Sequence, residues 1–125
     1  MSSEQLARRL GELADAKKAE DVVALDMRGL VSYTDFLVIC TARNERQAGA
    51  IVEEVRVRLK RDDHLFAGSV EGEGSAGWVV LDYLDAVLHV QTADARERYR
   101  LEELWHEAPR LALEAGGVAP AATGN

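Results

Sequence analysis

Three observations predict an α/β protein with a mixed five-stranded sheet flanked by helices. Apolar patterns run in the order helix, strand, strand, helix, strand, strand, strand, helix, which builds a layered structure. Two strand-like runs, Trp78–Tyr83 and Ala86–Gln91, are separated only by Leu84-Asp85. That gap is too short for a crossover helix, so the sheet cannot be wholly parallel. The 125 residues suit one compact domain, read as residues 1–114 followed by a disordered tail at 115–125.

The first helix is expected from residue 2 to about 18. Ser2 and Gln5 have capping-box spacing, Leu6, Leu10, Leu13 and Ala14 form one stripe, and Lys17 and Lys18 suit a helix C-terminus. Its other face is polar, which places it on the periphery. Val22-Val23-Ala24-Leu25 is a continuous apolar run and predicts a strand buried on both faces. After the loop 28–35, Phe36–Thr41 is the most β-prone run and should be central. Asn44 with Gln47 then starts an amphipathic helix to about Arg61, with Ala48, Ile51, Val52, Val55 and Leu59 on its sheet face. A short strand from Leu65 or Phe66 to Glu71 leads into the glycine-rich turn 71–77. Beyond the hairpin, Thr92 can cap a short helix, and Tyr99–Trp105 either continues it or forms a separate turn. Pro109 disfavours helix at Ala108.

The hairpin is apolar on both sides. Trp78, Val80 and Asp82 share one face of its first strand, and Val79, Leu81 and Tyr83 share the other. One face belongs on a core. The other needs a helix, a second subunit or a partner protein.

Charge narrows the partners. With 22 acidic and 15 basic side chains the net charge is −7. Nucleic-acid binding draws on Lys and Arg, so RNA or DNA is not expected as the main contact, and a basic protein is. The single cysteine, Cys40, excludes an intrachain disulfide and fits a reducing compartment. No signal-like or membrane-spanning run is visible, and a cytoplasmic protein is expected.

Catalytic chemistry finds little support. His64, His89 and His106 lack metal-ligand spacing, and one cysteine does not build a zinc site. His89, between Leu88 and Val90, reads as a partly buried histidine with a hydrogen-bond partner; His64 and His106 read as surface residues. Cys40 reads as a small buried hydrophobe. The loop 72–77 carries glutamate and precedes a strand, which suits a turn better than a phosphate cradle. Asp82 and Asp85 could hold a divalent cation, cap the turn, or meet a basic partner. Trp78 and Tyr83 fit a core position and an interface anchor equally well.

Residues 22–30, 33–39, 77–83, 85–90 and 99–105 together resemble the ribosomal silencing factor family, the Iojap-related proteins, in order and spacing from about Leu6 to Leu111. The family pattern has glycine near Leu84, a departure at the turn. The resemblance implies a protein that is not an enzyme and takes no cofactor. It implies binding to the basic large-subunit ribosomal protein L14, on the face of the 50S subunit that joins the small subunit. Joining is then blocked and translation repressed when nutrients are scarce. Large-subunit assembly roles, a nucleotidyltransferase-like fold and a homodimer are also implied. On that reading Trp78 and Val80 anchor the partner, Tyr83 contributes from the turn end, and Glu71, Asp82 and Asp85 meet its Lys or Arg. The enzyme alternative is weak at the motif level. Nucleotidyltransferases resemble Gly-Ser followed by Asp-x-Asp, whereas Gly68-Ser69 here precedes Glu71 and Glu73, and Asp82 and Asp85 are spaced Asp-x-x-Asp.

Overall fold

The computed structural model describes residues 1–72 and 77–113. The expected tail at 115–125 and most of the glycine-rich turn lie outside the described residues. The chain runs α1 (Ser3–Ala16), β1 (Glu20–Asp26), β2 (Phe36–Ala42), α2 (Glu45–Asp63), β3 (Ser69–Glu71), β4 (Trp78–Asp82), β5 (Ala86–Thr92), α3 (Ala93–Tyr99), α4 (Leu101–Leu104) and β6 (Arg110–Leu111). The strands form one sheet in the order β3-β4-β5-β2-β1-β6. Among the described strands, β2 and β5 pair in parallel and the other neighbours pair antiparallel. The sheet is therefore mixed, with six strands rather than the expected five. The added strand, β6, is two residues pairing with Ala24 and Leu25 of β1. It has no room for an alternating pattern, so its side chains do not announce it.

Capping is local and readable. The Ser2 hydroxyl accepts from the Gln5 N–H while the Gln5 side chain accepts from the Ser2 N–H. Asn44 Oδ1 accepts from the Gln47 N–H at 2.8 Å. Gln47 is itself buried, and its amide donates to the carbonyls of Lys17 and Lys18 just beyond α1, tying the two helices together. Arg9 of α1 also pairs with Asp62 and Asp63 at the end of α2. Thr92 caps α3, and Arg100, at φ 45, breaks α3 from α4.

The two sheet faces are covered unequally. Helices α1 and α2 pack Leu6, Leu10, Leu13, Ile51, Val52, Val55 and Leu59 onto Phe36, Val38, Cys40, Val79, Leu81, Leu88 and Val90. The opposite face carries Leu25, Leu37, Ile39 and Val87, covered by Leu101, Trp105 and Ala108 from the short C-terminal segment. All seven residues of β2 are buried, as a central strand demands. The second cover reaches Trp78 and Val80 of β4 only in part, leaving both half-buried.

Candidate docking surface

Register places the face. In the β3–β4 pair Glu71 lies opposite Val80 and Ser69 opposite Asp82, so these side chains share a side. Trp78, Val80 and Asp82 alternate onto that same side, away from α1 and α2. Val80 and Asp82 are half-buried and Glu71 is exposed. The sequence-predicted group Glu71, Trp78, Val80 and Asp82 is thus brought together on one face of the edge hairpin.

Trp78 is half-buried and not free-standing. Its ring centroid lies 4.4 Å from that of Tyr99 and 5.8 Å from that of His89. The indole N–H donates to His89 Nδ1 at 3.0 Å. His89 is the partnered, partly buried histidine expected, and burial lowers its pKa to about 4, against a smaller opposing pull from Asp82. Of the two roles open to Trp78, it holds the structural one on its Tyr99 side.

The β4–β5 turn is closed by three bonds. Tyr83 N–H donates to the Ala86 carbonyl at 3.0 Å and Asp85 N–H to the Tyr83 carbonyl at 2.8 Å. Asp82 Oδ1 accepts from the Leu84 N–H at 2.7 Å, the turn-capping role. Leu84 has φ 70, which explains why glycine suits this position. Asp85 is exposed at the tip, and its carbonyl accepts from the Asp35 N–H at 3.2 Å. Tyr83 is the residue the structure does not bring to this face. It points toward α2, is 7% exposed, and its hydroxyl has no partner. Burial raises its pKa, against the field of nearby Arg56.

Tyr99 borders the face from α3 through its contact with Trp78, at 47% exposure, and Leu104 of α4 is also exposed, at 65%. Neither was singled out from sequence, because helices this short leave no apolar stripe to follow. Elsewhere, an open groove of about 960 Å³ runs between β1 and the α3–α4 segment. Two of its arginines are paired within it: Arg96 grips both oxygens of Glu102 at 2.8 Å, and Arg100 pairs with Glu97 and Glu103. Cys40 is fully buried, and burial pushes its thiol up to about 12, which makes it a packing residue rather than a nucleophile. Among the described residues no three His, Cys, Asp or Glu side chains converge as a metal site would require. None of the described helices is long and apolar enough to cross a membrane.

The chain is thus a mixed α/β layer that carries acidic and apolar side chains together on the face of its edge hairpin. The family model described as "Ribosomal silencing factor during starvation" matches residues 1–124, and the chain belongs to that family. It is 39% identical over 114 residues to the ribosomal silencing factor RsfS of Halalkalibacterium halodurans, spanning 91% of this chain and 97% of that protein. It is 34% identical to RsfS of Bacillus subtilis, spanning 93% of this chain and 98% of that protein. A crystal structure of a Chromobacterium violaceum protein superposes with a TM-score of 0.81 at 29% identity, covering 93% of this chain and 97% of that one. Protein Iojap of Zea mays chloroplasts is also similar, 31% identical over 105 residues, which span 83% of this chain and 45% of that protein.

Proposed function

We propose that the chain is an anti-association factor of the ribosome. It docks on protein L14 of the 50S subunit and blocks small-subunit joining by its bulk, repressing translation. The observation that carries this reading is the shared face of β3 and β4. Val80 and the exposed side of Trp78 sit there among Glu71, Asp82 and the adjoining tip residue Asp85. Apolar anchors ringed by carboxylates suit a basic protein surface. Membership of the silencing-factor family and the net charge of −7 support the same partner. Tyr83 supports this face from behind, by fixing the strand that carries it. A nucleotidyltransferase-like scaffold serves here without catalysis, in keeping with acids spaced Asp-x-x-Asp rather than Asp-x-Asp. The protein acts in the cytoplasm, and a homodimer partner adds to the occluding bulk.

Sucrose-gradient sedimentation tests the reading. The full chain is expected to travel with purified 50S subunits, not with 30S, and to lower the 70S peak when both subunits are mixed. Equal binding to both subunits overturns it. Retained 50S binding without loss of 70S favours a role in large-subunit assembly instead.

A further inference from the structure

We propose that Leu84 is an apolar anchor at the tip of the β4–β5 turn, entering a recess on the basic protein surface that the edge hairpin meets. This rests on the docking reading above and adds a residue to it. Leu84 has φ 70, where a side chain crowds its own backbone and glycine does not. Its side chain is 66% exposed, so the fold recovers little burial in return. The turn does not use that side chain. Its closing bonds come from the backbone of Tyr83, Leu84 and Asp85 and from the Asp82 carboxylate. Gly68 stands beside it: a Cβ added there would lie 3.8 Å from Leu84 Cδ2 and 3.4 Å from the Asp82 carbonyl, ordinary contact distances. One end of the leucine therefore lies over the glycine backbone, and most of its surface faces outward.

An exposed apolar group combined with a left-handed backbone is the kind of outlier from which a role beyond folding is inferred. The surroundings say what. Asp85 follows it, Asp82 precedes it by two residues, and Asp35 is bonded to the Asp85 carbonyl. Glu71 lies one strand away on the docking face. A leucine tip bordered by carboxylates is complementary to an apolar recess bordered by Lys or Arg.

The full chain, Leu84→Gly and Leu84→Asn are compared in thermal unfolding and in binding to purified large subunits. Both replacements tolerate the left-handed conformation. Both variants are expected to unfold at the same or a higher temperature, yet to bind large subunits about tenfold more weakly. Undiminished binding by Leu84→Gly overturns the anchor and leaves the docking reading standing. Lower unfolding temperatures in both variants also overturn it, because Leu84 would then serve the fold. If the unaltered chain fails to bind large subunits, the docking reading fails and takes the anchor with it. Self-association abolished by Leu84→Gly, with subunit binding unchanged, assigns the tip to a second copy and overturns the proposal.

Discussion

The indole N–H of Trp78 donates to Nδ1 of His89, 3.0 Å away across the β4–β5 pair. An accepting Nδ1 means that the ring hydrogen sits on Nε2 and that the imidazole is neutral. Protonation would place a second donor against the indole and a charge beneath α3.

This makes stability depend on pH in a defined window. The folded ring takes its proton near pH 4, while the unfolded chain takes it near the ordinary value of 6.5. Between those values the unfolded state holds more protons, so stability is full above about 6.5 and falls as the pH drops toward 4. The loss expected by pH 5 is about 1–2 kcal/mol, reduced from the full linkage because the ring is only partly shielded. Urea unfolding midpoints at pH 7 and pH 5 measure it. His89→Asn keeps an acceptor for the indole without a titrating ring, and should flatten that part of the profile.

Trp78→Ala removes the ring that joins Tyr99 to the sheet. Fully buried aromatics cost more, so for this half-buried one the expected destabilisation is about 2–3 kcal/mol. Trp78→Phe keeps most of the packing but leaves His89 Nδ1 without its donor, at a cost of about 1 kcal/mol. Denaturant titration separates the two. An Ala variant as stable as the unaltered chain would mean that the ring is not a clamp and that its whole value lies in docking.

Arg96 is the second fastening of the C-terminal segment. Its guanidinium donates to Glu102, to Thr41 Oγ1 at 2.7 Å and to the Asp21 carbonyl at 2.9 Å, so α3, α4, β1 and β2 meet at one side chain. Arg96→Met keeps much of the stem's packing and loses all of these bonds. It is expected to destabilise by about 2–3 kcal/mol, because Glu102 is left partly buried without its partner. The hydrogen bonds from Arg96 hold the Glu102 carboxyl below its ordinary value. That contribution is present above the ordinary carboxylate range and is lost as the pH falls below it, so Arg96→Met should also lessen the acid sensitivity of the fold. Urea titrations at pH 7 and pH 4 read both effects.

How far the sequence could be read follows from where each signal resides. Phe36–Ala42 was legible because a strand buried on both faces must be apolar throughout. Asn44 and Thr92 were legible because a cap acts on groups three residues away. The face shared by Trp78, Val80 and Asp82 followed from alternation along one strand, whereas the place of Glu71 opposite Val80 is set by the register of β3 against β4. What stayed hidden was tertiary. The strand at Arg110–Leu111 is defined by its pairing with β1, and Tyr99 meets Trp78 across 21 residues of chain, through the way α3 packs on the sheet. The side of the sheet on which Tyr83 is buried depended on where the two long helices pack, which no local pattern specifies.

Charge reversal on the proposed face gives the sharpest test of how docking works. Glu71 and Asp85 are exposed, and no hydrogen bond to either carboxylate supports the fold among the described contacts, so replacing them should leave stability nearly unchanged. Exposed charges at the rim of an interface act mainly on association: they steer the encounter and are screened by salt. Glu71→Lys and Asp85→Lys are each expected to slow association with large subunits by roughly 3- to 10-fold at low ionic strength, with dissociation little altered. Raising the salt should narrow the gap to the unaltered chain. Glu53→Lys supplies the control, because Glu53 is exposed on α2, on the other side of the sheet, and its replacement changes net charge by the same amount. Association rates followed by surface-immobilised subunits distinguish the outcomes. If Glu53→Lys slows binding as much as the other two, only overall charge matters and the β3–β4 face has no special part. If the two face variants alone are slowed, and the difference fades with salt, the acidic edge is the side of the molecule that meets the ribosome.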